Sequence, residues 1–282
     1  MALKFSVEDR ISTYPGRVVM TPVEGKTNTY DLVRADVPIA EGTPINKALF
    51  DSKADTLTSD VTVYVSPSGS DTEGDGGADA PFATIQAAID ALPKYLGGHT
   101  VQLEIANGTY EERVKIHGFR AGRIIIGQYT STLTVRGLEI KNSSVVEVNI
   151  RNFIKTAAFN GALLEASDGS VVVVTKGTVI DGGSSSQMGI RCDNGSTLVV
   201  GSSNEIEVKN CGNAAVSANR GSTVALERVT GSNNLFGLHA QYGSTIRWKS
   251  GTIGSNFGDS ATEGSQLISG NGTSTLVNAT VV

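Results

Sequence analysis

Beyond residue 60, apolar and polar residues alternate in short bursts broken by glycine or asparagine. One block recurs. It reads LLEASDGSVVVV at 163–174, GIRCDNGSTLVV at 189–200, AVSANRGSTVAL at 215–226 and GLHAQYGSTIRW at 237–248. GLEIKNSSVVEV at 137–148 is a weaker copy, and QLISGNGTSTLV at 266–277 reads as the last. The turn position falls at Ser143, Gly169, Gly195, Gly221, Gly243 and Gly272, at intervals of 26, 26, 26, 22 and 29 residues. Five residues before it stands Leu138, Leu164, Ile190, Val216, Leu238 or Leu267. Behind it come apolar pairs two apart, such as Val172/Val174 and Leu198/Val200.

Two short strands bent by a glycine are too one-sided to be stable alone. Stacking the copies solves this, because each strand then pairs with its equivalents above and below. The pattern therefore predicts an all-β fold, a right-handed single-stranded parallel β-helix of about seven coils, about 4.8 Å apart. Period-2 alternation puts Leu164, Ala166, Val172 and Val174 inside. Trp248 shares the register of Val174, Val200 and Leu226 and is expected in the core. Second corners are expected at Asp181–Gly183, Asn210–Asn213, Ser232–Asn234 and Ser255–Asn256. Leucine-rich repeats are the closest competitor, but the later copies lose the second leucine and no helical pattern intervenes. A β-sandwich would not keep a fixed 26-residue register.

Upstream, VTVYV at 61–65 reads as a strand, and Ser66–Asp79 as a Gly/Asp-rich loop. TIQAAIDAL at 84–92 reads as a helix, with Thr84 as N-cap and Pro93 as the stop. Such a helix can cap the open end of the stack, which would otherwise present unpaired strand edges. Three segments result: 1–60, an irregular N-terminal segment; 61–98, opening strand, loop and capping helix; and 99–282, the β-helix.

Composition sharpens this division. Of 33 glycines, 30 lie after residue 60, whereas four of the seven prolines lie before it. No three-residue period exists, which excludes collagen. Lys+Arg total 23 against 28 Asp+Glu, so the basic footprint of a nucleic-acid binder is missing. No apolar run reaches the roughly 18 residues of a membrane span, and MALKFSVEDR lacks the apolar stretch of a signal peptide. Cys192 and Cys211 are too few for a disulfide scaffold. Cys192 stands where other copies carry alanine, which points to a buried packing role.

The run Pro81-Phe82-Ala-Thr84-Ile85-Gln86-Ala-Ala-Ile89-Asp-Ala-Leu-Pro93, with Gly108-Thr-Tyr110-Glu111-Glu112, resembles the opening of pectin-lyase-like β-helix proteins. It is similar in particular to pectin methylesterases and to many phage tail proteins. The methylesterases' further catalytic stretches (QAVA, QDTL, DFIFG, GRPW) are missing, as is the acidic cluster of pectate lyases. The resemblance thus implies the fold and not the catalytic residues. The stretch from Arg17 to Phe50 resembles N-terminal segments of tail or baseplate-associated proteins of phages and prophages of Gram-positive bacteria. This implies a non-enzymatic structural or host-attachment protein of a virion, assembled in the host cytoplasm. Residues 1–60 would dock it on other virion proteins. A homotrimer, common in the tail spikes it resembles, and a host cell-surface glycan as partner follow from the same resemblance. Two alternatives stand beside it: a capsid-decorating head fibre and a tail-spike polysaccharide depolymerase.

Candidate chemistry is sparse, and no cofactor is implied. Asp71, Glu73 and Asp75, followed by Gly76, match the first half of a calcium loop, but Phe82 stands where its bidentate glutamate belongs. Glu111 and Glu112 are adjacent, so on a strand they face opposite ways and cannot form a glycosidase pair. His99, His117 and His239 lack metal-ligand spacing. Tyr242 and Phe257, at turns, are candidates for exposed aromatic contacts, with His239 on the outer side of its strand.

Overall fold

The structure is a computed structural model. It describes residues 56–269 apart from 129, 131, 155–160, 176, 186, 201–204, 251–252, 256–258 and 263. It also describes the strand residues of an N-terminal unit (11–12, 18–22, 30–34 and 38–40). The chain divides into two compact units, 2–54 and 55–282. Thr56 pairs in parallel with Tyr95, which ties the following residues to the larger unit. In the smaller unit Val18–Pro22 pairs antiparallel with Tyr30–Arg34, and Ile11–Ser12 with Pro38–Ala40.

The larger unit is an all-β solenoid of stacked parallel coils. Three ladders build it. The first stacks Val61–Val65, Thr100–Ile105, Arg123–Ile126, Val145–Val148, Val171–Val174, Thr197–Val200, the start of Thr223–Asn234, Thr245–Ser250 and Gln266–Ser269. The second runs from Gly108–Tyr110 to Ile253–Ser255, and the third from Arg113–His117 to Ser260–Ala261.

Alternation decides what enters the core, as the sequence pattern predicts. Val101, Ile124, Val146, Val172, Leu198, Val224, Ile246 and Leu267 stack rung on rung in the first ladder and are all buried. Ile116, Ile140, Ala166, Cys192, Ala218, Ala240 and Ala261 form a buried column in the third. Each Val, Leu or Ile so placed contributes about 1.5–3 kcal/mol relative to exposure. Trp248 is in register with Leu226 but only half-buried, packing against the core from its edge.

The last repeat is set differently from the expectation. Leu267 pairs with Ile246, behind the turn, so the turn lies at Gly264 (φ +73°). The expected turn at Gly272 lies outside the described residues. The side chain behind each turn glycine explains the setting. Ser143, Ser170, Ser196, Ser222, Ser244 and Ser265 are buried. The backbone N–H of each of the first five donates to the hydroxyl one coil further on, at 3.1–3.3 Å. This column satisfies turn N–H groups that no strand pairing reaches, and such groups are costly when left unpaired.

The helix forms at Ile85–Asp90, with Thr84 Oγ1 accepting from Ala87 N at 3.1 Å. Ile85, Ala88 and Ile89 face the core. Gln86 completes the cap. Its Oε1 accepts from Lys115 N at 2.7 Å and its Nε2 donates to Lys115 O at 3.2 Å, so one side-chain amide stands in for the missing rung.

Candidate functional site

The three loop acids are tied to the fold. Asp71 Oδ1 accepts from Ala83 N and Thr84 N, at 2.8 and 2.9 Å, and its Oδ2 from the Thr84 hydroxyl at 2.8 Å. Asp75 Oδ1 accepts from Gly77 N at 2.8 Å, and the Glu73 backbone N–H donates to Ser70 Oγ. Asp71 alone pins the loop to the helix start, Asp75 bonds within the loop, and among the described residues no three His, Cys, Asp or Glu are grouped to hold a metal. Glu112 joins them from the neighbouring strand, accepting from Ile85 N at 2.7 Å and Gln86 N at 2.9 Å. Burial pushes its carboxyl above the usual range, against the pull of those two N–H groups. Glu111 faces elsewhere and meets Arg136 at 3.2 Å.

His239 and Tyr242 lie far from that loop. The His239 ring stacks on Phe236, centroids 5.7 Å apart, and burial lowers its pKa. Tyr242 is 52% exposed at a left-handed turn residue (φ 53°). Phe257 lies outside the described residues. Cys192 and Cys211 are buried free thiols, pushed up to about 12 by burial, which makes them poor nucleophiles.

Sequence reading missed a charged network on the outer face of the third ladder. Lys115, Glu139, Glu165 and Arg191 occupy one outward column on successive rungs. Stacked glutamates would repel, and Arg113 resolves this. Its Nη1 lies 2.6 Å from Glu139 and its Nη2 2.8 Å from Glu165. Gly161 makes room for that guanidinium, since a Cβ there would come within 2.6 Å of Nη2. His117 Nε2 stands 3.0 Å from Glu139. Further along, Arg191 pairs with Asp193, and Arg220 Nη1 reaches both Asp193 oxygens at 3.0 Å. The only signal in the sequence is the recurrence of Glu139, Glu165 and Arg191 every 26 residues.

Two of the depressions along the solenoid's first coils lie beside the helix and the loop before it. One, of about 510 Å³, is lined by Gln86, Asp90, Lys94, Arg113, Lys115 and His117. Lys94 Nζ sits 3.8 Å over the Phe119 ring, and burial lowers its pKa. The other, of about 500 Å³, opens where the 66–82 loop overhangs the ends of the first-ladder strands. Tyr64, Pro81, Ala106, Glu104, Asn107 and Gln128 line it. Tyr64 and Glu104 are paired neighbours on adjacent rungs, both half-buried and outward-facing. Among the described residues Glu104 is the single carboxylate in this lining.

The fold thus defines a parallel β-solenoid protein. No family model, no curated protein and no solved structure matches the chain.

Proposed function

We propose that this protein is a non-enzymatic structural and host-attachment component of a phage or prophage particle, of the tail-spike, tail-fibre or baseplate type. In this reading residues 1–60 dock on other virion proteins and the solenoid presents a binding surface. The observation that carries the non-enzymatic part is how the acids are used. Glu139 and Glu165 share Arg113, Asp193 is held by two arginines, and Asp71 and Glu112 cap the helix. A glycosidase needs two carboxylates facing one bond, about 5–5.5 or 6.5–9.5 Å apart; these are committed to their own neighbours. The separate N-terminal unit and the resemblance of Arg17–Phe50 to virion-docking segments support the attachment part.

Immunogold labelling of particles tests it. Label on the tail is the expected result. Label on the head moves the protein to the capsid-decorating class, and its absence from every particle overturns the proposal. Oligosaccharides released from capsular or wall glycans by the purified protein would overturn the non-enzymatic part.

A further inference from the structure

We infer that the groove beneath the 66–82 loop is a binding site for a neutral saccharide. The inference rests on the attachment reading and names the ligand class of one surface. Its volume of about 500 Å³ falls within the range of small-molecule sites, about 300–1,000 Å³. Tyr64, Pro81 and Ala106 supply apolar surface, and Glu104, Asn107 and Gln128 supply hydrogen-bonding groups. A pyranose ring has the matching character, with C–H faces on either side and hydroxyls around the edge.

The polar groups are free to act. Neither the Glu104 carboxylate nor the Gln128 side chain bonds to another described residue. Asn107 uses its oxygen to accept from Thr132 N at 2.7 Å, which leaves its amide nitrogen as a donor. This contrasts with the third-ladder face, where the acids are already paired. A carboxylate accepts from two neighbouring hydroxyls, and hydrogen bonds to a charged group are the stronger kind. The same carboxylate repels uronates, sialic acids and phosphorylated sugars. Among the described residues Glu104 is the single acid in the lining, so the groove lacks the carboxylate pair of a glycosidase.

The groove is also built to hold its shape. One wall consists of first-ladder strand ends on successive rungs. The other is the loop, held by Tyr64 N to Gly76 O at 2.9 Å and Phe82 N to Tyr64 O at 3.1 Å, and anchored through Asp71. A long ordered loop braced on a rigid scaffold is where binding residues commonly sit.

Calorimetric titration of the full chain tests this. The probes are neutral oligomers of glucose, galactose and N-acetylglucosamine, with oligogalacturonate and oligosialate as acidic counterparts. A neutral probe binds, acidic probes do not, and Tyr64→Ala and Glu104→Gln each weaken binding about tenfold, equivalent to ~1.4 kcal/mol. Tyr64→Phe keeps the ring and stays close to the parent. Cooperative unfolding of each variant confirms its fold; if Tyr64→Ala fails to fold, Glu104→Gln and Gln128→Ala decide. The inference is overturned if no neutral probe binds, if only acidic ones do, or if the folded variants bind unchanged. Particle labelling is independent of the groove. Labelled particles with no saccharide bound remove this inference alone, and unlabelled particles with saccharide bound remove the attachment reading alone.

Discussion

At Gly195 the backbone holds φ at +70°, and nothing lies within 4 Å of where a Cβ would stand. Any loss on substitution there is conformational. Gly195→Val is expected to lower stability by at least about 1–2 kcal/mol, the penalty of the left-handed region for an L-residue. Gly177→Ala, where φ is unremarkable and the nearest contact is an ordinary 3.5 Å, should change little. Urea midpoints compare the two, and equal effects would sink the explanation. His239 offers a second residue-scale test. Burial lowers its folded pKa below the ordinary 6.5. The unfolded chain therefore binds the proton first as pH falls, and stability present above pH 6.5 is lost below it. Melting temperatures from pH 7.5 down to 5 should fall more steeply in the parent than in His239→Gln. Parallel curves would show that His239 is not the titrating group.

Among the elements, the serine column does what the strands cannot. Ser170 N donates to Ser196 Oγ at 3.1 Å in a buried turn. Ser196→Ala leaves that N–H unpaired and is expected to cost about 1–3 kcal/mol. The denaturant midpoint should shift with an unchanged m-value; no shift would show that another acceptor takes over. The column was legible in the sequence as Gly-Ser at 169–170, 195–196, 221–222, 243–244 and 264–265. Reading the glycine alone placed the final turn at Gly272. Reading the pair would have placed it at Gly264, 21 residues after Gly243. The helix was legible too, because its cap, apolar face and stop are all local. Its real anchors were not. Glu112 and Gln86 bond across 26–29 residues, and only the docking of helix on strand brings them together.

For the whole molecule, the two units and the cap make a further prediction. Residues 55–282 expressed alone should stay soluble and unfold cooperatively, since their contacts are internal. Residues 99–282, stripped of strand, loop and helix, should aggregate. Thr100–Ile105 and the Lys115 backbone would then be bare parallel edges. Size-exclusion chromatography distinguishes the two, and a soluble 99–282 fragment would deny the helix its capping role. By itself the sequence determined the architecture: a coil near 26 residues long, which positions of the repeat face inward, and where every coil but the last turns. That information is local and repeated, so each copy confirms the others. Only the tertiary structure decided the chemistry. Arg113 reaches Glu165 across 52 residues. Similarly, the groove takes its lining from the loop and from strand ends on separate rungs. Which side chains meet across coils depends on the lengths of the turns and the angle at which each coil leaves its corner. No single repeat encodes those quantities, and they exist only once the coils are stacked.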